Sequence, residues 1–159
     1  MKALVIFLVL LFGPTLIYAH DQQYLCLLDV NGKLLFKTEI QENSKFAIRF
    51  IHSVAKSPVE DWFTIKNGQI YLQQTIYQDF GAGLPYKPEG HQTMKFTDGK
   101  IIISGYNMQF TSFDQRVGRI ANHTLLLPDQ NNNVTELELN KLVSPGQAIT
   151  FTVKVLPPK

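Results

Sequence analysis

Residues 59–73 read Val59-Glu60-Asp61-Trp62-Phe63-Thr64-Ile65-Lys66-Asn67-Gly68-Gln69-Ile70-Tyr71-Leu72-Gln73. Asn-Gly between two runs rich in β-branched and aromatic residues marks a two-residue hairpin, because both central residues of that turn take positive φ. It joins an expected strand over 59–66 to one over 69–77. Counting outward from the turn sets Ile65 opposite Ile70 and Phe63 opposite Leu72. All four then lie on one side of the ribbon, the core side. Glu60, Trp62, Thr64, Tyr71 and Gln73 fall on the other.

The same grammar extends in both directions. Asn31-Gly32 joins strands expected over 24–30 and 33–39, and Asp98-Gly99 joins 94–97 to 100–106. Across the latter, Phe96 faces Ile101 and Met94 faces Ile103. A polar loop over 128–133 separates runs at 121–127 and 134–139, and Ser144-Pro145-Gly146 leads into a last run at 148–155. No segment after residue 20 sustains a helical period. Short runs at regular spacing between turn signals predict a single all-β domain over 20–159, an antiparallel sandwich or partly open barrel of about eight or nine strands.

The N-terminal stretch has a different character. Lys2 precedes the apolar run 3–12, Gly13-Pro14 breaks it, and Ala19 stands before His20-Asp21. A basic head, a short apolar core and a small residue at the cut describe a signal peptide over 1–19. The alternative is a retained membrane anchor, which at 17 residues over 3–19 sits at the lower limit for a span. The expected location is therefore exported, in the periplasm or on the outer face of the cytoplasmic membrane. Without Lys2 the chain carries 14 basic against 13 acidic residues, which gives no electrostatic support to nucleic-acid binding. Membrane contact is expected only if the leader is retained. The single Cys26 excludes an internal disulfide.

Two loops concentrate the unusual chemistry. Residues 52–60 read His52-Ser53-Val54-Ala55-Lys56-Ser57-Pro58-Val59-Glu60, and residues 81–85 read Gly81-Ala82-Gly83-Leu84-Pro85. His52 continues the Phe46, Ile48, Phe50 face at a strand end, where an imidazole either contacts a ligand or braces a loop. Ser53 points the opposite way, and no nucleophile elbow exists, so a serine hydrolase is set aside. Glu60 either accepts bonds from the 53–57 turn, pairs with Arg116, or faces a ligand. Gly81 and Gly83 allow close backbone approach, either to a small anion or simply at a tight corner. The four histidines are spaced 32, 39 and 32 apart, which is no metal signature, and no cofactor is expected.

Together, His52-Ser53-Val54, Pro58-Val59-Glu60, Phe80-Gly81-Ala82-Gly83-Leu84-Pro85 and Arg116-Val117-Gly118 resemble the motif series of the bacterial domain-of-unknown-function family 1850. The resemblance covers about residues 27–155. It implies a small exported or membrane-anchored protein, often encoded beside TAXI-type TRAP transporters, and it carries no catalytic residues. A TRAP-type permease or its binding protein is then the expected partner.

The leading expectation is a non-catalytic envelope module linked to TRAP-type transport of small organic acids. Its site for a small anionic ligand would draw on His52, Ser53, Glu60, Gly81, Gly83, Pro85 and Arg116, with His52, Glu60, Gly83 and Arg116 converging on one hollow. A second reading docks a partner through Trp62 and Tyr71, as aromatic residues do at interfaces. A third makes His52 a general base oriented by Glu60.

Overall fold

The computed structural model describes residues 22–81 and 83–156; the expected leader over 1–19 lies outside the described residues. Among the described residues eleven strands form: β1 (Gln22–Leu28), β2 (Leu34–Ile40), β3 (Lys45–Ile51), β4 (Pro58–Lys66), β5 (Gln69–Tyr77), β6 (Thr93–Thr97), β7 (Lys100–Phe110), β8 (Ser112–Arg116), β9 (Thr124–Pro128), β10 (Val134–Glu138) and β11 (Ala148–Leu156). A 3₁₀ turn, Leu139–Lys141, precedes the last strand. They pair antiparallel into a four-stranded sheet, β2-β1-β11-β8, and a seven-stranded sheet, β10-β9-β3-β4-β5-β7-β6. The sheets do not close on each other, which makes the fold a sandwich. The count exceeds the eight or nine expected chiefly because the short strand Ser112–Arg116 carries no long apolar run.

The turns explain most of the register. Asn67 and Gly68 take φ of 50° and 69°, and Asp98 and Gly99 take 50° and 70°, so both tight hairpins have the backbone that their residues favour. Asn31-Gly32 differs from expectation. The Asp29 carboxylate accepts the N–H groups of Asn31 and Lys33, and only Gly32 takes positive φ. The result is a longer loop braced by an aspartate. Asp129 repeats the device, accepting from Asn131 and Asn133.

The sheets are held together by phenylalanines. Phe46 of β3 and Phe63 of β4 stack at 5.0 Å between ring centres. Phe113 of β8 lies 5.0 Å from Phe63, and also 5.0 Å from Phe151 of β11. Phe110 meets Phe113 edge-on at 5.7 Å. Only Thr111 separates β7 in one sheet from β8 in the other, so this corner crosses between layers under the aromatic cluster. Each such pair contributes about 0.5–1.5 kcal/mol beyond its buried area. Around them pack Leu25, Leu27, Ile48, Ile65, Ile70, Leu125 and Ile149, all fully buried.

A second, smaller cluster joins Val59, Tyr77, Ile101 and Ile103 at the other end of β4, β5 and β7. Leu84 packs against it from the loop over 78–92. That loop therefore covers part of the large sheet's inner face in place of a strand.

Candidate functional site

β3 directs Phe46, Ile48 and Phe50 inward, and His52 follows at the strand end, 8% exposed. Its backbone N–H donates to the Ser57 carbonyl, and its own carbonyl accepts from Lys56. The side chain closes the turn from within: Nδ1 accepts the N–H of Ala55 at 3.0 Å and of Val54 at 3.3 Å. Nδ1 thus serves the turn as a hydrogen-bond acceptor. Stapling of this turn, one of the three roles open to Glu60, is thus supplied by His52.

The second corner packs on the same ring. A Cβ built on Gly81 would lie 2.7 Å from His52 Cε1, so only glycine leaves room there. Leu84 N–H donates to the Gly81 carbonyl, Gly83 takes φ of 89°, and the buried Tyr77 hydroxyl donates to the Pro85 carbonyl. A third loop joins them. Ile51 N–H donates to the Ala121 carbonyl at 2.7 Å, His123 Nδ1 accepts Gly118 N–H at 3.1 Å, and the His123 ring stacks on Phe50. Burial lowers the His123 pKa and so favours the neutral ring that this bond needs. Two histidines thus serve one end of the sandwich as internal hydrogen-bond acceptors.

The expected convergence holds for only part of its set. His52 meets the Gly81–Pro85 corner. Ser53 is exposed beside it. Arg116 lies on the four-stranded sheet, and its guanidinium donates to the Gly146 carbonyl at 2.7 Å. Glu60 leaves β4 on the face opposite Val59 and Phe50, because neighbouring strand residues alternate. A His52–Glu60 catalytic relay therefore has no geometry here, and Glu60 does not face Arg116.

Glu60 is instead bonded to Trp62, whose Nε1 donates to Glu60 Oε2 at 2.9 Å. Both belong to the outer face of the large sheet. A groove of about 440 Å³ runs there, lined by Lys45, Glu60, Trp62, Gln73, Gln74 and Asn132, among others. Val134 of β10 also lines it, although three strands separate β10 from β5. The sheet must therefore curl, with the β9–β10 hairpin rising as one wall. A β-bulge shapes the floor: Trp62 pairs with Gln74 and Phe63 with Leu72, which leaves Gln73 as an extra residue. Beyond the bulge Tyr71 sits opposite Thr64 on the same outer face, outside the groove's lining. Arg49 and Glu136 form an ion pair at 2.5 Å on this side.

Sequence reasoning passed over Asp61. It shares the inward parity of Phe63 and Ile65, and it sits between the two apolar clusters. Its carboxylate accepts the Thr75 hydroxyl at 2.7 Å. Burial pushes the Asp61 carboxyl above its ordinary range, and the Thr75 bond offsets part of that rise. The signal was the alternation itself, which places a charge among core positions. Among the described residues no group of three or more His, Cys, Asp or Glu side chains is placed to hold a metal ion, and no helix is long and apolar enough to cross a membrane.

Two outcomes follow. Asp61→Asn keeps an acceptor for Thr75 and removes the charge. Because the folded pKa is raised, the wild-type chain has the benefit of a neutral Asp61 below the unfolded value of about 4 and loses it as pH rises through the folded value. Thermal melts should show the variant more stable at pH 7, with the gap closing towards pH 4; a gap that stays constant contradicts the assignment. Gly81→Ala should cost about 1–3 kcal/mol through collision with His52. Its cost should largely vanish in a His52→Ala background, and strict additivity in urea unfolding would show that the ring and this position do not touch.

Residues 46–134, more than half of the 159, match the family model described as "Domain of unknown function (DUF1850)". No curated protein matches the chain, and no solved structure does. The motifs at His52, Pro58, Gly81 and Arg116 all fall within the matched span, and the chain belongs to the DUF1850 family.

Proposed function

We propose that this protein is a non-catalytic binding module of the cell envelope, an accessory to TRAP-type transport of small organic acids, and that its recognition surface is the outer face of the seven-stranded sheet. The observation that carries this reading is the groove floored by Trp62, with Glu60 bracing the indole. A β4 residue in the middle of a sheet is held rigidly by neighbours on both sides, which suits a platform for a ligand or partner. The histidine-bearing loops, by contrast, spend their polar groups on one another. That use fits a scaffold better than a reaction centre. Among the groove's lining residues Glu60 is the sole carboxylate, so the paired acid and base of a hydrolase is not assembled there.

Export enters the proposal through the leader over 1–19, and the transporter through the family. Tyr71 extends the same face beyond the groove and enlarges the area that a protein partner could cover. The full chain, tagged at its C-terminus, should co-purify with the TRAP-type permease or binding protein of its own cell. A Trp62→Ala, Tyr71→Ala variant with an unchanged melting curve should lose at least tenfold of the captured partner. Equal capture by that variant, or none by the wild-type chain, rules out transporter docking on this face.

A further inference from the structure

The groove's chemistry is more specific than its shape. Trp62 is the chain's only tryptophan, and its one polar atom is already bonded to Glu60. What the ring offers the groove is thus an apolar face. Gln73, Gln74 and Asn132 line the same groove, and a side-chain amide can both donate and accept. In a regular strand consecutive residues point to opposite faces; the bulge lets Gln73 and Gln74 line the groove together. Lys45 and Glu60 bring one charge of each sign, so the groove has no excess of cations for an anion. Its volume, about 440 Å³, lies within the range of small-molecule sites. Strands β4 and β5 are paired on both edges, so an added peptide strand finds no open backbone ladder here.

We infer that the Trp62 groove binds a neutral saccharide, one sugar ring lying on the indole and its hydroxyls bonded to Gln73, Gln74, Asn132 and the free oxygen of Glu60. A hydroxyl group donates and accepts at once, as the three amides do, and a sugar's C–H face is apolar. A dicarboxylate would instead meet the Glu60 carboxylate with no surplus of donors to offset the repulsion. The saccharide is held and released unchanged, because no second carboxylate lines the groove. The inference rests on the binding-module reading and names its ligand class; in the envelope it would tether the module to a glycan.

The full chain, labelled with ¹⁵N, is titrated separately with maltotriose, cellotriose, chitotriose and succinate. At least one trisaccharide should shift the Trp62 indole signal and the side-chain amides of Gln73 and Gln74 saturably. Gln74→Ala should weaken that binding at least fivefold, and Trp62→Phe less than Trp62→Ala; Lys154→Ala, on the other sheet, should leave it unchanged. Melting curves identify any variant that fails to fold, and the Gln74 variant alone then decides. Binding of succinate but of no trisaccharide overturns the saccharide class and leaves the binding-module reading standing. Silence towards all four probes also overturns the saccharide class, and the partner capture above then decides whether the face binds anything.

Discussion

The structure depends on one row of stacked rings. Phe46 and Phe63 of the seven-stranded sheet meet Phe113 and Phe151 of the four-stranded one, and neighbouring rings lie nearly parallel. Their burial settles which parity of β3, β4, β8 and β11 faces inward. Once Phe63 is inside, Trp62 must be outside, and Glu60 with it. The outer groove is thus a consequence of core packing. Its rigidity comes from the same source, since β4 cannot rotate without pulling Phe63 out of the stack. Shifting the strand by one residue would expose Phe63 and Ile65 and bury Trp62 beside Lys66, an exchange the hydrophobic effect opposes strongly.

The loop end follows a different logic. A strand end that turns sharply leaves amides without partners, and buried amides need acceptors. His52 supplies one at Nδ1 for the 53–55 turn, and His123 supplies another for Gly118. Both rings also fill space, one against Gly81 and one against Phe50. A histidine here does the work of a carbonyl on a rigid aromatic frame, and glycine at position 81 is the matching void. His52 and Gly81, two residues of the motif series, thereby have packing and hydrogen-bonding roles.

The legible part of the sequence was local. Asn67-Gly68 and Asp98-Gly99 dictate their hairpins through positive φ, and counting from them recovers Ile65–Ile70, Phe63–Leu72, Phe96–Ile101 and Met94–Ile103. Counting fails beyond Leu72, because a bulge has no unique signature in single-residue alternation. It also misses β8, whose Asp114 and Gln115 lack a strand's usual apolar partners. Arg116 resembles a site residue in sequence, yet its place on the other sheet depends on the crossing at Thr111. Asp61 was readable by parity alone, but nothing local shows that Thr75 would stand opposite it. The curl that brings Val134 towards Gln74 is a property of the whole sheet.

The division of β4 into a packed inner side and a working outer side is open to direct measurement. Trp62 is the chain's sole indole, so steady-state fluorescence with acrylamide reads its environment without interference. The account predicts a red-shifted emission and efficient quenching in the folded chain, as for a ring lining an open groove. A blue-shifted, quencher-resistant emission would place the indole inside the core, and the assignment of the outer face would be wrong.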